Sequence, residues 1–154
     1  MNDKNLIIRF MEAFALRDFS TMKELYSRDV QFFDPLFGYV SEGAVVDMWQ
    51  FRFALCELFE LTFDNCNDEG DGYYTCYYRV KWNWGKADNQ IIDMKIKAYF
   101  RVWNKQISEH SDGFSVHEWC SQRFGWSGKL FGWNRIYQQS VKNKIRKAFL
   151  HKKR

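Results

Sequence analysis

His110 and Asp112 are the residues of this 154-residue chain whose types and spacing point most directly to a reaction. They lie two apart in a segment that alternates along a strand, so both project to one side with Cβ atoms roughly 7 Å apart. An imidazole beside a carboxylate is an oriented acid or base, because the carboxylate fixes the tautomer and raises the basicity of the ring. Ser108 and Phe114 share that side. A second acid, Asp34, closes an alternating run in which Val30 and Phe32 point the same way and Pro35 follows. A carboxylate at the end of an apolar row costs energy unless it is paired, hydrated or in use. Both features have structural alternatives: Asp34 could cap the Asp-Pro turn through a hydrogen bond to backbone, and His110–Asp112 could be a satisfied pair in the core or at a dimer edge. His117 and His151 fall outside this geometry and are expected to meet solvent.

The elements that must position these groups come in two blocks. Residues 4–17 read as an amphipathic helix with Leu6, Phe10, Ala13, Phe14 and Arg17 at spacings of three and four, and Asp3 as a candidate cap. A short helix over 20–26 packs Met22, Leu25 and Tyr26, a strand runs from 30 to 34, and a third helix covers 43–58. The period then falls to two, and segments 59–67, 73–84, 91–103 and 106–115 read as strands. Their connections, 67–72, 85–89 and Asn104-Lys105, are turns, which makes consecutive strands antiparallel. Ile92, Met94, Ile96, Ala98, Phe100 and Val102 share one face of the third long strand, while charged residues and Tyr99 take the other. One face therefore packs on helices. A short helix near 117–124, a Gly- and Trp-rich corner over 124–133 and a helix over about 134–150 follow. The expectation is a single α+β domain over 1–154. Its strongly curved antiparallel sheet carries the N-terminal helices on the concave face, and 117–154 form a helical extension. A pocket between sheet and helices is the default site.

Composition narrows the function. Seven Trp, eight Tyr and fifteen Phe give ample apolar area for a core, which excludes disorder. No stretch reaches the roughly 18 apolar residues of a membrane span, and the N-terminus lacks a signal peptide, so a cytoplasmic location is expected. The four cysteines, at 56, 66, 76 and 120, have no knuckle or redox spacing and are expected to be buried thiols. Neither a metal-ligand pattern, a phosphate-binding glycine loop nor a nucleotide fingerprint occurs, so no cofactor is expected. The net charge is +4, but Lys142–Arg154 alone carries seven basic residues and no acid, leaving the rest at −3. Basicity confined to a tail is not the field of a dedicated nucleic-acid binder, and none is expected as partner. Val141, Ile145, Ala148 and Phe149 form an apolar seam that either docks on the domain or, ringed by Lys142, Lys144, Arg146 and Lys147, meets an anionic surface.

The stretch Leu25-Tyr-Ser-Arg-Asp-Val-Gln-Phe-Phe-Asp-Pro35, preceded by a short helix and followed by the Gly38/Gly43 loop, resembles the opening of nuclear transport factor 2-like domains. Within that superfamily the ketosteroid isomerases and SnoaL-like polyketide cyclases are most similar, and the tail is similar to an extension in an uncharacterised bacterial branch. The resemblance covers essentially the whole chain. It implies a cone-shaped, cystatin-like α+β fold, dimerisation through the outer sheet face and an enclosed pocket. It also implies that the isomerase's general base falls on Asp34, and that His110, Asp112 and Phe114 line the pocket. The isomerase's two oxyanion donors fall on Phe10 and near Ala98, neither of which has a hydroxyl, so this chain departs from that mechanism.

Three readings follow. The first is a cofactor-free acid/base enzyme, of isomerase, cyclase or dehydratase type, that binds a small hydrophobic molecule. Asp34, His110 and Asp112 would be catalytic and Trp49, Phe53, Trp82 and Phe100 its walls, joined by Phe10, Phe14, Phe32 and Ala98. The second is a non-catalytic ligand-binding or interaction module, which expects a narrow or filled pocket and an Asp34 bonded to backbone. The third is surface attachment through the C-terminal helix. A homodimer is expected because Tyr73, Tyr77, Tyr99 and Trp103 remain on the outward sheet face.

Overall fold

The computed structural model describes residues 2–41, 43–83 and 90–152. Asn2, rather than the neighbouring Asp3, caps α1 (Asp3–Leu16) by accepting from the Lys4 amide at 2.8 Å. Asp18 caps α2 (Phe19–Leu25) through Thr21. The chain continues through β1 (Tyr26–Asp34), β2 (Gly38–Ser41), α3 (Ala44–Ala54), β3 (Phe59–Phe63), β4 (Asn67–Gly70), β5 (Tyr73–Asn83), β6 (Ile91–Trp103) and β7 (Gln106–Gly113). It ends in α4 (Val116–Phe124), α5 (Trp126–Phe131) and α6 (Arg135–Lys152).

The strands form one curved, unclosed seven-stranded sheet in the order β2-β1-β7-β6-β5-β3, with β4 also on β5. All consecutive long strands pair antiparallel, as their short turns require. The sheet is nonetheless mixed, because β1 and β7 lie parallel, Phe32 facing His110. Turn length constrains only strands adjacent in sequence, and these two are separated by residues 35–105, so nothing local fixes their direction. Along β6 every second residue from Ile92 to Val102 is buried. The helices α1 and α3 cover this face: Phe10 meets Phe100 edge-on, Phe14 meets Tyr78, and Trp49 meets Phe32.

Several elements differ from the sequence expectation. The loop after Pro35 becomes β2, because Gly38 takes a φ of +71° and turns the chain back onto β1. The expected turn over 67–72 narrows to Asp71-Gly72, both at positive φ, which frees 67–70 to pair as β4. Strand β3 stops at Phe63, α3 at Ala54, and part of the Gly- and Trp-rich corner coils into α5. Tyr26 opens β1 instead of ending α2. The turn expected at 85–89, with Trp84, lies outside the described residues. In α6 the seam residues Val141, Ile145 and Phe149 are buried, with Phe149 against Phe37 and Phe51, while Ala148 is exposed. The helix therefore docks on its own domain through that seam. No helix is long and apolar enough to cross a membrane among the described residues.

Candidate functional site

Strand parity sends Asp34, His110 and Asp112 inward, and all three are buried. His110 sits in the middle of the sheet, opposite Phe32 on β1 and Phe100 on β6. Phe100 stacks on its ring at 4.4 Å between centroids, Trp49 stacks at 6.1 Å, and Phe10 and Phe32 meet it edge-on. An imidazole so enclosed must satisfy both nitrogens from protein groups. Its Nδ1 lies 2.7 Å from the Tyr26 hydroxyl and its Nε2 3.3 Å from Asp112 Oδ1.

The donors fix the direction of this chain. Trp49 Nε1 donates to the Tyr26 oxygen at 3.3 Å. Asp112 Oδ1 accepts from Nε2–H, and Tyr26, whose oxygen already accepts from Trp49, donates its own O–H to Nδ1, the acceptor within its reach. Tyr78 lies near Asp112 on the other side, where the acid adds to the rise of its phenol that burial causes. Ala98, opposite Asp112 on β6, carries only a methyl between Asp112 and the β5 face from which Tyr78 reaches. A hydrogen-bonded line thus runs Trp49, Tyr26, His110, Asp112 through an otherwise apolar interior, with Tyr78 near its Asp112 end. Burial holds both tyrosine hydroxyls well above the ordinary phenol value; the Trp49 bond partly offsets this at Tyr26, and Asp112 adds to it at both. Both phenols stay protonated, and Tyr26 donates to His110.

Asp34 is held separately. Its Oδ1 accepts from the amides of Leu36 at 2.8 Å and Phe37 at 2.6 Å, closing the Asp-Pro turn. Its Oδ2 pairs with Arg52 Nη1 at 2.6 Å. The Arg52 guanidinium lies over Trp49 and Phe37, 4.9 and 5.3 Å from the ring centroids. Burial raises the Asp34 carboxyl above the usual aspartate value, against Arg52 and the two amides, which favour the charged form.

A cavity of about 30 Å³ opens beside Tyr78, between α1, α3 and the sheet. Phe14, Trp49, Phe53 and Trp82, four of the expected wall residues, line it, together with Arg52 and Tyr78. Half-exposed Cys56 and Phe59 mark its outer end. Phe10, Phe32 and Phe100 instead encase His110, Ala98 is buried beneath Asp112, and Phe114 packs half-buried at the core's edge. Cys66, Cys76 and Cys120 are buried free thiols. His117 and His151 are exposed. No group of three metal-ligating side chains occurs among the described residues.

Sequence reasoning missed Tyr26, Tyr78 and Arg52. Parity could have found Tyr78, since it shares a face with Val80 and Trp82. Arg52 follows Trp49 by one helical turn, which gave a signal for a shared face but none for its ion pair. Tyr26 was hidden by the misplaced helix end.

Solved structures share this architecture at low identity. An LEH-like epoxide hydrolase from M. tuberculosis superposes with a TM-score of 0.67 at 15% identity over 84% of this chain and 92% of its own. A candidate polyketide cyclase from Pseudomonas putida KT2440 gives 0.66 at 14% identity over 79% and 98%. A protein of ketosteroid isomerase-like fold from Catenulispora acidiphila, in complex with trimethylamine, gives 0.67 at 12% over 77% and 92%. No curated protein matches the sequence. The family model described as SnoaL-like domain matches residues 7–110, two thirds of the chain, running from α1 to His110. With its helices laid across a curved, mixed sheet, the chain belongs to the SnoaL-like domain family.

Proposed function

We propose that the chain binds a small, hydrophobic organic molecule against Tyr78 and acts on it by proton transfer, without a cofactor. One observation carries this reading: Tyr78, near the Asp112 end of the buried polar line, lines the cavity. Tyr78, kept protonated by burial, is the donor for a substrate oxygen. Asp112 is the proton acceptor, and His110, fixed by Tyr26, orients it and shares the charge. The Tyr78 hydroxyl stands in for the oxyanion donors absent at Phe10 and Ala98. Asp34, already holding two amides and Arg52, serves as a positioning residue for the turn and the cavity wall rather than as a free base.

A second reading, a non-catalytic ligand-binding or interaction module, is favoured by two observations: the Asp34 carboxylate held by two amides and Arg52, and the small cavity. At about 30 Å³ the cavity holds one or two waters, whereas ligand pockets usually exceed about 300 Å³. A ligand therefore enters by displacing the half-exposed Phe59 end. Homodimerisation through the outer sheet face belongs to both readings; Lys97 lies over Tyr77 and Tyr99 there, and Arg101 over Tyr73 and Trp103.

Compact cyclic ketones such as 2-tetralone test the choice, by calorimetric binding and by α-proton exchange in D₂O. Acid/base action predicts binding plus exchange above the protein-free rate, lowered roughly 100-fold or more in Asp112→Asn. Binding with exchange at the protein-free rate supports the module. No binding by any member of the panel defeats both.

A further inference from the structure

The short helix α5 is built inside out. Its buried residue is Gly128, while Trp126, Leu130 and Phe131 are exposed. The cause is steric: a Cβ on Gly128 would collide with the Cys120 carbonyl and one on Gly132 with the Gly128 carbonyl and Cys120, so the backbone itself seats α5 on α4. With no room for a side chain on the inner face, the large apolar ones are forced outward. Trp133 and Ile136 extend the patch into α6; Trp126 is 71% exposed, Trp133 68% and Ile136 82%. Isolated exposed apolar residues are ordinary, but this many in an eleven-residue stretch mark an interaction site.

Charge says what covers it. Residues 119–154 contain ten Lys or Arg and no Asp or Glu, while the other 118 residues hold thirteen basic against nineteen acidic side chains, a net −6. Lys129 is exposed within α5 itself, and Arg135, Lys144 and Lys147 are exposed on α6, whose apolar seam is spent on the domain. The outer surface of the extension thus joins an indole-rich apolar tip to a basic flank. Tryptophan seated at headgroup depth with lysine and arginine reaching phosphate is the chemistry of an interfacial membrane contact.

We infer that the tip formed by Trp126, Leu130, Phe131, Trp133 and Ile136, with Lys144 and Lys147 on the α6 face that continues from Ile136, docks the protein onto the surface of an anionic lipid bilayer. The contact lies in the interface plane and spans nothing. This extends the attachment considered for the C-terminal helix, but moves its apolar element from the docked seam to the protruding α5 corner. It does not depend on the cavity having an activity.

Co-sedimentation of the full chain with vesicles of phosphatidylcholine containing about 30% phosphatidylglycerol tests it. The parent is expected to bind these vesicles at least about tenfold more tightly than pure phosphatidylcholine, and to be released by about 0.5 M salt. Trp126→Ser/Trp133→Ser is expected to lower binding about tenfold or more with an unchanged melting temperature, since both indoles lie outside the core. Lys144→Glu/Lys147→Glu is expected to remove most of the preference for anionic lipid. Equal retention on neutral and anionic vesicles, or folded double variants that bind as the parent does, overturns the inference. So does a tip whose loss abolishes binding to a short oligonucleotide, or converts a dimer to a monomer, while vesicle binding is unaffected.

Discussion

Asp34 shows how the same carboxylate can be read as a base from its position and as an anchor from its partners. Its two amide bonds and the Arg52 pair occupy three of the roughly four lone-pair sites of the carboxylate, including both on Oδ1. Removing it leaves a guanidinium that is nearly buried and unpaired, so Asp34→Ala is predicted to cost about 3 kcal/mol in chemical denaturation. Its pH dependence has a definite sign. Because burial holds the folded value above 3.8, the folded chain binds the proton more tightly than the unfolded chain. The stability due to Asp34 is greatest below pH 3.8 and is lost as pH rises through the folded value. Asp93, held down by Arg79 on the surface, runs the other way and is screened by salt. Comparing parent and Asp34→Asn at high salt isolates the buried group; the parent's extra loss of stability with rising pH should vanish in the variant. Cys56 gives an independent view of the cavity. Burial raises its thiol, so alkylation should be slow at neutral pH and quicken toward alkaline pH. A ligand in the cavity should protect it, which mass spectrometry of the modified residue would show.

Strands made the inward-facing residues easy to anticipate. A period of two over β6 and β7 put Ala98, Phe100, His110 and Asp112 on one face, and the structure places them there. What alternation cannot supply is the neighbour across a non-sequential pair. The parallel β1–β7 contact brings Phe32 opposite His110 and Tyr26 within reach of Nδ1, and no local pattern encodes it. Arg52 and Tyr78 were overlooked for a related reason. A polar group on an apolar face reads as noise until its partner from another element is known. The β5–β6–β7 geometry also yields a prediction. Ala98 is the small residue between Asp112 and the face from which Tyr78 comes, so Ala98→Leu should push the two apart. Overpacking there should destabilise the fold by about 1–3 kcal/mol and abolish the Tyr78 contribution to any proton exchange.

The molecule as a whole presents three surfaces with different fates. The concave face is covered by α1 and α3 and encloses the polar line. The convex face keeps Tyr73, Tyr77, Tyr99 and Trp103 exposed beneath lysine and arginine, and is the face on which a second copy is predicted to sit. Tyr99→Glu/Trp103→Glu should shift sedimentation velocity from dimer to monomer without lowering the stability of the protomer by more than about 1 kcal/mol. The extension, seated on α3 and the turn after Asp34, leaves its basic flank and α5 tip outward. The family was legible from a dozen residues around Asp34-Pro35. The activity was not, because one fold hosts many sites and the departures at Phe10 and Ala98 remove the two donors by which one of them is recognised.

The ¹⁵N spectrum of His110, recorded with and without 2-tetralone, tests the buried polar line most directly. The structure predicts that Nε2 carries the proton toward Asp112 and that Nδ1 accepts from Tyr26. It also predicts that the ketone shifts both nitrogens in the parent and leaves them unmoved in Tyr78→Phe. A ring protonated on Nδ1, or one indifferent to a ketone shown by calorimetry to be bound, would contradict it.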